Sequence, residues 1–242
     1  DRESDRTFIY WLENDDLSGI RVFRRRPIDE VPGPPGGVVL GVYLWGIRLR
    51  GAALADLDLD GDLDLAAEHE SADGSRGVYW WENAGPDGLD WVSRGMLVSS
   101  ASFVDSLQFG DIDRDGDCDI LTGLRWCENN GGLDPESWTY HNLPVPERRS
   151  VVSGRLTDFD RDGDLDIIYY YLYEVYFLEN RLPADTVAFM AKRVVASGFD
   201  QCNDVQVGDL DRDGDLDIVA AAWWDDAVRL WENNGAPVPG WT

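Results

Sequence analysis

Short apolar runs, separated by clusters of Asp, Gly, Asn and Pro, recur along the chain. Four of them, LDLAAEH, CDILTGL, LDIIYYY and LDIVAAA, are rich in β-branched or aromatic residues, which favours buried strands over helices. None of the apolar runs is long enough to span a bilayer. The pattern therefore predicts an all-β protein.

A nine-residue acidic motif precedes each of these strands. Its copies, loops 1 to 4, are DLDLDGDLD (residues 56–64), DIDRDGDCD (111–119), DFDRDGDLD (158–166) and DLDRDGDLD (209–217). Carboxylates at positions 1, 3, 5 and 9 repel one another by roughly 4 kcal/mol per contacting pair at an effective dielectric near 20. The glycine at position 6 permits a sharp turn, and an all-oxygen set of flexible number suits calcium better than magnesium. The sequence predicts about four calcium ions, one per loop.

These loops differ from the EF-hand, which needs a bidentate Glu at position 12. Position 12 is Ala67, Thr122, Tyr169 or Ala220. Because none of these side chains chelates a cation, the EF-hand is excluded. Each ion is expected in the connection of a β-hairpin.

A second motif closes a later strand of each unit. It occurs as WLEN (11–14), WWEN (80–83), WCEN (126–129), FLEN (177–180) and LWEN (230–233). A turn follows, and then an aromatic residue opens another strand at Trp91, Trp138, Phe189 and Trp241. One unit thus comprises strand 1, the acidic loop and strands 2 to 4, with steps of 55, 47 and 51 residues between successive loops.

A four-stranded unit of about 40–50 residues is the size of a β-propeller blade. We expect a single propeller region, 1–242, with a partial blade at 7–30 (strands 3 and 4) and an incomplete one at 203–242. The complete blades are 38–99, after an insertion at 32–37, then 101–147 and 150–197. This strand count predicts an arc of a larger, about seven-bladed propeller, and a closed ring of four or five blades is the alternative.

The DxDxDGxxD loop followed by a WxEN-like strand resembles the FG-GAP/VCBS repeats over roughly residues 7–242. By this resemblance the side-chain ligands are Asp56, Asp58, Asp60 and Asp64; Asp111, Asp113, Asp115 and Asp119; Asp158, Asp160, Asp162 and Asp166; and Asp209, Asp211, Asp213 and Asp217. The position-7 residues, Asp62, Asp117, Asp164 and Asp215, would bind through their carbonyls. We expect their side chains to face water.

The formal net charge of -26 changes the range of expected partners. Twenty of the 47 acidic residues lie in the four loops, where bound cations would offset them. The remaining negative charge still disfavours nucleic acid and anionic membranes. Extracellular calcium modules bind at about 10⁻⁴–10⁻³ M, so a secreted or cell-surface location is expected.

Three cysteines are too few for a disulfide scaffold. A hairpin turning at Thr122-Gly123 would set Cys118 opposite Cys127. These two residues are therefore either small apolar residues that fill space in the core or the two halves of a cross-strand disulfide. Cys202 is expected to be a free thiol.

Support for catalysis is weak. Neither His69 nor His141 belongs to an HExxH motif, and the chain has no GxSxG elbow or phosphate-binding glycine loop. Glutamates recur in strand 3 at Glu82, Glu128, Glu179 and Glu232. Because a catalytic site is unique and these residues are repeated, we expect a structural role and no catalytic residue.

Aromatic side chains are the candidates for ligand binding, since flat rings stack on sugars or anchor protein contacts. The candidates are Trp91, Trp138, Trp223 and Trp224, with Trp224 before two aspartates as the best platform. Three functions follow: a non-catalytic, calcium-binding adhesion or scaffold module, a glycan-binding lectin, or a lyase-like polysaccharide-active enzyme. The resemblance to adhesins and integrin-like heads favours the first.

Overall fold

The structure is a computed structural model of the 242-residue chain. It describes residues 6–17, 20–32, 50–70, 75–84, 91–99, 106–123, 125–144, 154–171, 174–181, 189–197, 202–222, 226–233 and 235. Within these ranges the chain forms strands and one 3-10 turn, Pro135–Ser137, and contains no α-helix. The all-β expectation is confirmed.

Seventeen strands account for the described elements. They are β1 Arg6–Leu17, β2 Ile20–Pro32, β3 Arg50–Ala55, β4 Asp64–Glu70, β5 Arg76–Asn83, β6 Trp91–Ser99, β7 Leu107–Gly110, β8 Asp119–Thr122, β9 Arg125–Asn129, β10 Trp138–Asn142, β11 Gly154–Thr157, β12 Asp166–Tyr171, β13 Glu174–Asn180, β14 Phe189–Ser197, β15 Cys202–Gly208, β16 Asp217–Ala222 and β17 Ala227–Trp231.

Neighbouring strands in the chain pair side by side to form five separate sheets. β1 and β2 form a two-stranded antiparallel sheet. Repeat 1 (β3–β6), repeat 2 (β7–β10) and repeat 3 (β11–β14) are four-stranded, and repeat 4 (β15–β17) has three strands in the described residues. The fourth strand expected from Trp241 lies outside the described residues, as does the insertion beyond Pro32. Loops 1 to 4 each connect the first two strands of their repeat.

By contacts the chain divides into two compact units. The first comprises Asp1–Ser102 with Leu133–Trp138, and the second Phe103–Gly132 with Thr139–Thr242. In the first unit, Leu65, Ala67 and Trp81 of repeat 1 form a small buried cluster.

In the second unit the hydrophobic core lies between sheets, because β12 is buried on both faces. Ile167 and Tyr169 pack with Leu121 and Trp126 of repeat 2. Ile168 and Tyr170 point to the opposite face, where they join the cluster that contains residues of repeat 4. The alternation of side chains along a strand thus gives β12 two apolar faces, which explains its continuous apolar sequence.

The cysteines do not have the arrangement expected from the sequence. In the β8–β9 hairpin, Thr122 pairs with Arg125 and Ile120 with Cys127, so Cys118 is not opposite Cys127. All three cysteines are thiols. Burial raises the pKa of the Cys127 thiol to about 12, which keeps it protonated and suits the role of a small apolar filler.

Candidate metal centres

All four loops fold in the same way. The backbone N–H of position 5 donates to the carboxylate of position 3 at 3.0–3.3 Å. The N–H of position 7 donates to the carboxylate of position 5 at 2.8–3.1 Å. These successive Asx-type turns are a local preference of aspartate, so the acidic sequence itself curls the loop.

Two residues in each loop have a left-handed backbone. The residue at position 4 has φ of 61–65°; it is Leu59, Arg114, Arg161 or Arg212. The glycine at position 6 has φ of 95–102°. Glycine takes this conformation freely, whereas a residue with a side chain loses about 1–2 kcal/mol. Every loop accepts that cost at position 4.

Buried carboxylates close the loops at position 9. Asp64, Asp119, Asp166 and Asp217 are each 0% exposed. Their Oδ2 atoms accept the N–H of position 2 at 2.8–3.1 Å. Their Oδ1 atoms accept the N–H of the last asparagine of the WxEN motif, at 2.8–2.9 Å. Each carboxylate therefore joins its loop to strand 3.

The WxEN asparagine adds a second link through its side chain. In repeat 3, Asn180 donates from Nδ2 to the carbonyl of Leu165, at position 8 of its own loop, at 3.2 Å. It also donates to the carbonyl of Ile112 in loop 2, at 3.0 Å. Asn129 and Asn233 make the same bond to position 8. Sequence reasoning recognised this motif as a strand end but missed its bond to the loop, although the recurrence of asparagine was visible.

Three aspartates in each loop bring carboxylate oxygens within 4.8 Å of one another. The groups are Asp56, Asp58 and Asp60; Asp111, Asp113 and Asp115; Asp158, Asp160 and Asp166; and Asp209, Asp211 and Asp217. Asp64, Asp119, Asp162 and Asp213 lie outside these groups. Each cluster therefore contains three of the four side chains expected as ligands.

Uncompensated oxygens show that these clusters suit a cation. The Oδ1 atoms of Asp56, Asp111 and Asp158, at position 1, are buried without a hydrogen-bond partner. A buried carboxylate oxygen without a donor is costly. An oxygen-binding ion placed among the clustered carboxylates would satisfy it, so the residues fit calcium.

One of the side chains at position 7, that of Asp164, contradicts the expectation that these side chains face water. Asp164 is only 4% exposed, and Asp62, Asp117 and Asp215 are half-buried. The turn after strand 3 covers two of them: a Cβ on Gly131 would lie 3.6 Å from Oδ2 of Asp117, and one on Gly235 only 2.2 Å from Oδ2 of Asp215. Glycine in this turn makes room for the carboxylate.

Basic side chains accompany three of the strand-3 glutamates. Glu82 pairs with Arg94 of β6, and Glu179 pairs with Arg181 at 2.8 Å. In repeat 2 the partner is a histidine, because His141 Nε2 lies 2.6 Å from Oε2 of Glu128. His141, next to the last residue of β10, also stacks on Trp126, with ring centroids 4.2 Å apart. His69 pairs with Gly77 in the β4–β5 hairpin.

The four tryptophans expected to bind a ligand differ in their exposure to solvent. Trp138 is only 5% exposed, so its ring is not open to a ligand. Trp91 is half-buried. Trp223 and Trp224 lie outside the described residues.

Comparison with known proteins identifies part of the chain. Residues 158–220, which contain loops 3 and 4, match the model of the FG-GAP-like repeat. This segment is an FG-GAP-like repeat. No curated protein matches the chain.

The chain also resembles a solved structure. That structure concerns specific recognition of non-reducing terminal N-acetylglucosamine by an Agrocybe aegerita lectin. The two share 16% identity at a TM-score of 0.58, and the alignment covers 96% of this chain and 59% of that one. The likeness at this identity is one of fold, and the chain spans about 59% of the lectin's length.

Burial favours the protonated form of three position-9 carboxyls, in loops 1 to 3. It raises the pKa of Asp119 and of Asp166 to about 7, and that of Asp64 to about 6. The hydrogen bonds donated by backbone amides lower these pKa values, but by less than burial raises them. Burial, followed by repulsion from the neighbouring carboxylate at position 5, also raises the pKa of Asp113 and Asp160. At Asp113, Asp160 and Asp166, which belong to the carboxylate clusters, a proton and a bound cation would compete for the same oxygens.

Replacing Asn180 by alanine tests the link between the FG-GAP-like loop and strand 3. The variant loses both bonds donated by the buried side chain, to the carbonyls of Leu165 and Ile112, so we expect the free energy of unfolding to fall by about 1–3 kcal/mol. Urea unfolding monitored by tryptophan fluorescence measures the change. The matched control is Asn130→Ala in the exposed turn, expected to cost less than about 1 kcal/mol. Equal losses in both variants would contradict the structural role of Asn180.

The raised pKa values predict how calcium-free protein responds to pH. Because the folded state holds protons on Asp119 and Asp166 more tightly than the unfolded state, their contribution to stability is present below pH of about 4 and lost as pH rises to about 7. Urea unfolding in chelator should show lower stability at pH 7.5 than at pH 5. The double variant Asp119→Asn/Asp166→Asn should flatten this dependence. A wild-type stability that rises across the window would refute the assignment.

Proposed function

We propose that the chain is a non-catalytic, calcium-binding β-propeller module of a secreted or cell-surface protein. The observation that carries the proposal is the repeated cluster of three carboxylates within 4.8 Å, with buried, unpartnered position-1 oxygens in loops 1 to 3. Such a module would present a rigid surface for adhesion, interaction or scaffolding.

The sheets support the propeller part of the proposal. Each four-stranded repeat has the antiparallel order of a blade, and in the second unit the buried side chains lie between successive repeats. A blade cannot bury both faces alone, so it depends on its neighbours. We therefore treat repeats 1 to 4 as blades, and the number of blades in the whole protein as a separate proposal.

Calcium would be held by the clustered aspartates of each loop, with the position-7 carbonyl as a further oxygen. When bound, calcium supplies positive charge that offsets the repulsion among the carboxylates. The chain's own contribution is to point those carboxylates inward through the Asx-type turns and to fix position 9 with two backbone donors. The abundance of extracellular calcium relative to the affinity of such modules supports the proposed location.

The proposed role is structural because the acidic sites are repeated. Glu82 and Glu179 form ion pairs with arginines, and Glu128 contacts the imidazole of His141. These contacts support a part in organising the blade edge. No helix in the described residues is long and apolar enough to cross a membrane.

Calcium should raise the melting temperature and a chelator should lower it, because ligand binding to the folded state adds about 2.7 kcal/mol per site at a concentration of 100 Kd. Isothermal titration should give about four sites, one for each cluster. Asp113→Asn should remove one of them, whereas Asp134→Asn, at an exposed position outside the loops, should remove none. A melting temperature insensitive to calcium would sink the proposal.

Glycan binding is a second candidate function, favoured by the fold shared with the lectin. Exposed or half-exposed aromatic side chains are available for stacking: Tyr140 is 40% exposed, and the guanidinium of Arg125 lies 5.9 Å from the centre of its ring. Trp91 is half-buried.

The glycan candidate predicts retention of the calcium-loaded chain on immobilised glycans ending in N-acetylglucosamine. Tyr140→Ala should reduce retention if that ring is part of the site, and Val228→Ala, at a 73% exposed aliphatic position, should not. Absence of retention across a glycan array would leave adhesion to protein as the function. Release of unsaturated sugars from polysaccharide would instead indicate a lyase.

A further inference from the structure

The position-4 arginines of the second unit reach out of their own loops. Arg161 belongs to loop 3, yet its Nη1 lies 3.8 Å from Oδ1 of Asp215 in loop 4. Its side chain is 53% exposed, and that of Asp215 is 31% exposed. The ion pair thus joins position 4 of one loop to position 7 of the next.

The surroundings of two position-6 glycines show that an arginine reaches the next loop twice, from loop 2 to loop 3 and from loop 3 to loop 4. A Cβ on Gly214 in loop 4 would lie 3.6 Å from Nη1 of Arg161. A Cβ on Gly163 in loop 3 would lie 3.0 Å from Nη2 of Arg114, which belongs to loop 2. The guanidinium groups of loops 2 and 3 therefore each lie beside the position-6 glycine of the following loop.

The position-4 residues of loops 1 and 4 differ from Arg114 and Arg161. Leu59 occupies position 4 of loop 1 and carries no charge. Arg212 of loop 4 has the left-handed backbone of the other arginines, with φ of 65°, but forms no ion pair among the described residues.

We propose that Arg114 and Arg161 are positioning residues for the calcium loop of the following blade, so that neighbouring calcium sites are coupled. This inference rests on the proposed calcium binding. By pairing with the Asp215 carboxylate, Arg161 restrains the residue whose carbonyl is expected to bind calcium. The guanidinium beside Gly214 restrains the turn at position 6. Ordering loop 3 around its ion therefore pre-orders loop 4.

The charge of Arg161 and its restraint on loop 4 have opposite effects on calcium affinity in that loop, which makes the proposal testable. A cation near loop 4 repels calcium, so removing the charge alone would tighten binding there. Removing a restraint on the loop would weaken binding, because the ion must then order the loop itself. Lysine keeps the charge but lacks the planar fork of arginine, so it separates the two effects.

The experiment is a calcium titration of the whole ¹⁵N-labelled chain, in which the amide signals of Gly163 and Gly214 report loops 3 and 4 separately. Arg161→Met should weaken binding in loop 4 about five- to tenfold and leave loop 3 within about twofold. Arg161→Lys should also weaken loop 4. Arg114→Met should weaken loop 3 and spare loop 4.

Arg212→Met is the matched control, since it changes the same position of loop 4 itself. Its effect on loop 4 should be smaller than that of Arg161→Met. Unchanged or tighter binding in loop 4 of Arg161→Met, or an equal loss in Arg212→Met, would overturn the inference while leaving calcium binding intact. If neither glycine signal of the wild-type chain responds to calcium, the proposed function fails and the inference fails with it.

Discussion

A buried carboxylate at position 9, held by two backbone amides, is the contact on which each repeat depends. One amide comes from position 2 of the loop and the other from the end of strand 3. Burying a charge is costly unless hydrogen bonds or an ion compensate it. The same residue therefore fixes the loop, sets the position of strand 3 and lies in or beside the acidic cluster, so the local fold and the proposed ion site depend on the same side chain.

The rest of the loop is unfavourable on its own. Carboxylates are gathered within 4.8 Å, and a side-chain-bearing residue takes a left-handed backbone at position 4. Such costs persist where surrounding structure fixes the conformation. Here the Asx-type turns and the asparagine of strand 3 do so from within the repeat, and contacts to the neighbouring repeat, such as the bond from Asn180 to Ile112, add to them.

Sequence reasoning identified the loops and strands because their signals are local. The spacing of aspartates and the apolar runs depend on turn preference and side-chain alternation, which a single sequence displays. Arrangements that depend on another segment were harder. Asp164 was expected to face water but is buried. Cys127 was expected opposite Cys118, but it pairs with Ile120 because the hairpin turns between Thr122 and Arg125. Trp138 opens its strand as expected, but its burial depends on packing that spacing does not reveal.

The bonds between the position-9 carboxylate and strand 3 connect residues only 10 to 19 apart in sequence. Contacts of such short range close early in folding, since little chain entropy is lost in forming them. A repeat can thus establish its loop and central hairpin before its neighbours are in place. Segments between loops can then gain or lose residues without disturbing this closure, in keeping with the unequal steps of 55, 47 and 51 residues along the chain.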